Sequence, residues 1–138
     1  MFLPVLAGQS GNTGCQALAV TLRGITLGEL KEGKERELVI KEASLGLYNG
    51  ALTGLVAGLG MLVMAILQNN PNALELALVV WAALVGACVT SGVCGALIPI
   101  TLKRFGLDPA TASSIFLTTA TDVVSMGMLL GLAALFIL

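Results

Sequence analysis

The sequence predicts an all-α integral membrane protein with four transmembrane helices, at about residues 2–22, 40–67, 74–102 and 110–138. Three observations carry that prediction. The 138 residues are 57% hydrophobic and 11% charged, with a mean hydropathy of +0.96, which is more apolar surface than a soluble domain of this size buries. The charges are clustered: after Arg23 most fall between Glu29 and Glu42, leaving Glu75, Lys103, Arg104, Asp108 and Asp122. The charge-free windows 43–74 and 76–102 each exceed the roughly 20 residues that cross a hydrocarbon core of about 30 Å.

The first segment, 2–22, is apolar except for "GQSGNTGCQ" at residues 8–16. Pro4, Gly8, Gly11 and Gly14 predict a loosened helix, and irregular backbone at membrane depth is tolerated where it is buried in protein or lines water. A signal peptide is rejected because the stretch lacks a basic start and an unbroken apolar stretch. The second segment carries glycines at 46, 50, 54 and 58, one face of a helix and a surface on which another backbone packs closely. Gly127 and Gly131 predict a similar patch on the last segment. "QNNPN" reads as a tight turn. In "KRFGLDP", Gly106 ends one helix and Asp108–Pro109 starts the next, an N-cap oxygen followed by a proline whose missing N–H costs nothing.

All seven Lys and Arg residues lie in or beside the first and third connections. The positive-inside rule makes connections 23–39 and 103–109 cytoplasmic and both chain ends external. An external start without a leader implies a preceding spanning helix.

Several classes of function are excluded by residue type. Net charge is −1 and no basic patch is interleaved with aromatics, so no nucleic acid is expected. The chain has no histidine, which removes most zinc sites and the Ser/His and Cys/His dyads. "GQSG" matches the GxSG of rhomboid intramembrane proteases, but Ser10 has no base to take its proton. An intramembrane aspartyl protease needs two carboxylates, and Asp122 stands alone among the segments. Cys15, Cys88 and Cys94 read as small hydrophobes. No enzyme is expected.

Asp122 is the most informative residue. It lies about 13 residues beyond Pro109, hence about 20 Å into a helix that crosses about 30 Å. A carboxylate at that depth costs on the order of 2.5–3.5 kcal/mol, and no Lys, Arg or His lies at comparable depth in any segment. Thr111, Ser114, Thr118, Asp122 and Ser125 recur at helical intervals of three or four and predict a hydroxyl-lined face leading to the carboxylate. Gln9, Asn12 and Gln16 add neutral oxygens, hard ligands that suit hydrated Mg²⁺ or Ca²⁺. A two-fold dimer would bring two Asp122 side chains to one axis, with a hydrated dication between them.

Two blocks carry a family resemblance. "PVLAGQSGNTGCQALAVTLRG" resembles the opening of the second membrane helix in the MgtE family of magnesium channels and their solute-carrier relatives. "GALIPITLKRFGLDPATASSIFLTTATDV" is similar to that family's passage from the fourth helix into the fifth. The resemblance implies that residues 1–138 are a single pore domain in the lipid bilayer, matching the family's helices two to five without its first helix or its cytoplasmic regulatory domains. It further implies a homodimer moving hydrated Mg²⁺ along the two-fold axis. The metal-contacting residues would be Asp122 and the backbone carbonyl of Thr118, and the pore lining Gly8, Gly11, Asn12, Gln16, Ser114, Thr121 and Ser125. Ser114 stands where the family often has asparagine. The alternative is a Na⁺- or H⁺-coupled Mg²⁺ exchanger with Asp122 as the titrating group.

Overall fold

The computed structural model describes residues 2–30 and 33–136. They form four helices: α1 (Leu3–Thr26), α2 (Glu35–Leu67), α3 (Ala73–Arg104) and α4 (Pro109–Phe136). The expected helices are all present, and three of them run past the expected ends into charged sequence. Glu35 and Glu37 occupy the first turn of α2, Arg23 the last turn of α1, and Lys103 with Arg104 the last turn of α3. Each charge sits at the helix end whose dipole favours it. Residues 137–138 of the fourth expected segment lie outside the described residues.

The connections form as their residues dictate. Asn69 adopts φ 52°, the left-handed conformation asparagine tolerates; the Asn70 N–H then reaches back to the Ala65 carbonyl at 3.0 Å, and Pro71 prevents the helix from resuming. Gly106 ends α3 with φ 74°, its N–H donating to the Lys103 carbonyl at 3.1 Å and that of Leu107 to Leu102 at 3.0 Å. Asp108 caps α4: its carboxylate accepts the Ala110 N–H at 3.1 Å and the Thr111 hydroxyl. Those donors hold the Asp108 carboxyl below the usual carboxylate range.

Helix α3 is the centre of the bundle and packs against all three others, whereas α2 and α4 do not touch and α1 barely meets α2. The core follows from that arrangement. Val80, Ala83, Leu84 and Cys88 of α3 cluster with Leu6 of α1, and Met61 of α2 and Met128 of α4 close over them. Cys88 is thus a core residue, as its apolar setting predicted, but Cys15 is exposed.

The glycine stripe of α2 is the surface on which α3 lies. A Cβ on Gly46 would stand 2.5 Å from the Cys88 carbonyl oxygen, one on Gly50 2.8 Å from the Val85 Cα, and one on Gly58 3.1 Å from the Ala77 oxygen. Backbone meets backbone along most of the contact, which no other residue permits. The Trp81 indole N–H donates to the Ala51 carbonyl at 3.3 Å, tying the same two helices. Gly127 and Gly131 differ from expectation: nothing stands within 4 Å of a Cβ at either position, so the chain's own packing does not use them.

The largest correction concerns α1. The expected broken helix is a continuous α-helix through Gly8, Gly11 and Gly14, so its carbonyls are engaged in the helix rather than laid open by a break. Pro4 lies in the first turn, where no N–H is needed. Each helical glycine costs about 1 kcal/mol relative to alanine, and among these three close tertiary contact accounts for Gly14. A Cβ on Gly14 would meet Leu117 and Thr121 of α4 at 3.2 Å, and the Gly14 carbonyl itself lies against Gly95 of α3.

By length and composition, α2, α3 and α4 suffice to cross a membrane. At 24 residues α1 is about 36 Å long, also enough, but its polar stretch dilutes its hydropathy. Large side chains such as Leu52, Val56, Ile115 and Val123 are more than half exposed, a surface that suits lipid rather than water.

Candidate functional site

Asp122 lies on the outer surface of α4. Its side chain is exposed, and so are Thr111, Ser114 and Thr118, the residues preceding it on the expected stripe. Among the described residues no Lys or Arg pairs with it; the ion pair there joins Arg104 to Glu35. Nor do three His, Cys, Asp or Glu side chains converge as a metal cluster among those residues. One carboxylate per chain is available at this face, which suits an ion that keeps most of its own water.

Thr121 and Ser125, expected to line a pore, are not on that face. They are buried, 2% and 0% exposed, on the side of α4 that packs into the bundle. The cause is local geometry: Thr121 lies against Gly14, and Ser125 donates back to the Asp122 carbonyl at 3.1 Å. The Thr121 hydroxyl likewise donates to the Thr118 carbonyl at 3.0 Å, so the carbonyl assigned to the ion by resemblance already accepts a side-chain bond. A carbonyl has two lone pairs, and on the exposed side of α4 the Thr118 hydroxyl is itself turned back toward the Ser114 carbonyl at 3.0 Å. Hydroxyls that bond to their own helix leave only acceptor lone pairs for a passing hydrated ion.

On α1, Ser10 sets the register with α4. It is completely buried, and its hydroxyl lies within hydrogen-bond reach of the Thr121 carbonyl at 3.4 Å and the Ala7 carbonyl at 3.5 Å. The Gly8–Asn12 stretch therefore stands at the depth of Asp122. Nothing lies within 4 Å of a Cβ at Gly8 or Gly11, and Asn12 is exposed. Asn12 and Gln16 line an open cleft of about 420 Å³ with Gln9, Cys15, Ala19 and Asn49. That lining comes from α1 and α2, so the structure brings these two amides to Asn49 rather than to the hydroxyl face of α4.

One functional candidate escapes a reading by charge pattern. Glu42, at the end of the charged connection, is only 4% exposed, and its Oε1 is buried without a hydrogen-bond partner among the described residues. The signal was present in the spacing: residues 42, 46, 50, 54 and 58 continue one four-residue stripe, so the helix face that buries the glycines buries the glutamate.

A family model described as MgtE, divalent cation transporter, matches residues 3–132. The chain is 34% identical over 136 residues to the magnesium transporter MgtE of Enterococcus faecalis and to that of Bacillus subtilis, and 31% identical over 134 residues to that of Thermus thermophilus. These alignments cover 97–99% of this chain but 28–29% of the relatives, so the chain spans less than a third of their length. Four helices, three of them long and apolar enough to cross a membrane, in a chain matched along almost its whole extent, make this an all-α integral membrane protein whose chain belongs to the MgtE family of divalent cation transporters.

Proposed function

We propose that this chain forms a Mg²⁺ pathway, with two copies meeting about a two-fold axis so that their Asp122 carboxylates face one hydrated ion. The observation that carries this reading is Asp122 itself: a carboxylate near mid-membrane, exposed on the face of α4 that also exposes Ser114 and Thr118, with no Lys or Arg paired to it among the described residues. An isolated carboxylate there is costly; a hydrated dication shared by two of them offsets both the repulsion and the burial. Resistance of Mg²⁺ to dehydration explains why few protein ligands suffice. Transport of Mg²⁺ is the function named for the three relatives, and the divalent specificity proposed here follows theirs.

Mg²⁺ flux into proteoliposomes containing the protein tests the reading. Replacing Asp122 by Asn removes the charge at nearly constant shape and is expected to lower flux at least about tenfold, as loss of a directly interacting charged group does. Undiminished flux in Asp122→Asn would refute the role given to this residue. If wild-type flux strictly required a Na⁺ or H⁺ gradient, the coupled-exchanger reading would replace that of a passive pathway.

A further inference from the structure

We propose that Glu42, with Thr13, Gln16 and Asn49, forms a second binding site for a hydrated divalent cation, in the cleft between α1 and α2. The proposal rests on the reading of the chain as a divalent-cation pathway and adds a station to it.

The cleft exists because α1 and α2 both pack on α3 but scarcely on each other. It has a volume of about 360 Å³ and is lined by Thr13, Gln16, Glu42 and Asn49 on its polar side, with Val20, Leu45, Tyr48 and Leu52 as apolar walls. It shares Gln16 and Asn49 with the cleft of Gln9 and Asn12, so one groove with a line of polar side chains runs along α1. The Asn49 amide donates to the Thr13 hydroxyl at 3.4 Å, which places Asn49 level with Thr13. Glu42 lies seven residues earlier on α2, about 10 Å nearer the end of the bundle where Glu35 pairs with Arg104. Ser10 is level with Thr121, so the groove leads from the depth of Asp122 toward that end, the cytoplasmic one by the charge rule.

Glu42 gives the groove its charge. A carboxylate at 4% exposure with an unpartnered oxygen is among the least favourable arrangements a membrane protein can hold. Its neighbour Lys41 is exposed, and no cation pairs with Glu42 among the described residues. The second buried oxygen without a partner, Ser91 Oγ, belongs to the same junction: Gly92 of α3 packs on the Glu42 carbonyl, and Ser91 lies against Gly14. A cation in the cleft would balance the charge of the carboxylate. The donor set is one carboxylate, amide oxygens and a hydroxyl, all hard oxygen ligands. Six waters at about 30 Å³ each need about 180 Å³, which the cleft of about 360 Å³ accommodates. A dehydrated monovalent ion would instead need a tight shell of protein oxygens, which four side chains spread over two helices do not provide.

Mn²⁺ serves as a paramagnetic stand-in for Mg²⁺, and bound Mn²⁺ per chain is counted by electron paramagnetic resonance on the intact protein in detergent. Glu42→Gln is expected to remove one Mn²⁺ per chain, or weaken its binding at least about tenfold. Adding Asn49→Asp, which returns a carboxylate to the same α2 wall two turns along, is expected to restore binding to within about threefold. If Glu42→Gln fails to fold, Gln16→Leu, at an exposed position, decides instead, with an expected weakening of about fivefold. Unchanged Mn²⁺ binding in whichever of these two variants is read overturns the proposal. So does displacement of Mn²⁺ by Na⁺ at concentrations where Mg²⁺ displaces none. Asp122→Asn separates the two readings: its Mn²⁺ at the Glu42 cleft is expected to be retained, so undiminished flux in that variant would refute the pore role of Asp122 without touching this site.

Discussion

Asp122 and Thr121 are adjacent in sequence and opposite in circumstance. One is exposed on the hydroxyl face of α4, the other is buried against Gly14, and hydropathy does not distinguish their surroundings. Thr121→Val preserves the branched shape that packs on α1 and removes only the hydroxyl that bonds to the Thr118 carbonyl. Flux in that variant is expected to stay within about twofold of wild type, since deleting one neutral intrahelical bond costs only about 1 kcal/mol. A loss as large as that of Asp122→Asn would mean that Thr121 faces the ion after all. Ser10 teaches the same lesson, because a motif that reads as a protease nucleophile is a buried hydroxyl joining two helices.

At the scale of the helix, the glycines sort by what stands opposite them. On α2, Gly46 and Gly50 face the backbone of α3 at distances that leave no room for a methyl group, whereas a Cβ on Gly60 meets nothing within 4 Å. Gly46→Ala is expected to destabilise the protein by about 1–3 kcal/mol, the cost of overpacking. Gly60→Ala is expected to be neutral or stabilising by up to about 1 kcal/mol, because alanine is the better helix former. Thermal unfolding of both variants in detergent checks the contrast; equal midpoints would show that α2 and α3 are not held at backbone contact. The same stripe explains Glu42, which is buried because it continues the face of Gly46 and not because its own chemistry favours burial.

For the whole molecule, three helices gathered on α3 leave α1 and α2 apart, and a groove lined by amides and one carboxylate opens between them. The proposed orientation puts the ends at Arg104 and Glu35 in the cytoplasm and the turn at Asn69–Asn70 outside. Single cysteines at Phe105 and Asn70, in a background with Cys15, Cys88 and Cys94 replaced, provide the check with a membrane-impermeant thiol reagent. Labelling of Asn70→Cys from outside, and of Phe105→Cys only after the membrane is opened, is the expected result. The reverse pattern would invert the topology and place the Glu42 station on the outer side of Asp122.

Composition and charge spacing determined on their own that the chain lives in a bilayer, how many helices it has, and where α2, α3 and α4 begin and end within a few residues. Hydropathy and capping are local properties, and lipid leaves the backbone little alternative to the helix. Asp122 was also legible, because an isolated charge in apolar sequence needs no neighbours to be conspicuous. Tertiary structure decided the rest. Gly8, Gly11 and Gly14 read as a break because glycine weakens an isolated helix, but packing on α3 and α4 keeps α1 continuous. Which hydroxyls face outward and whether Glu42 meets water depend on how four helices are turned toward one another, a non-local balance of close backbone contacts that no window of sequence contains.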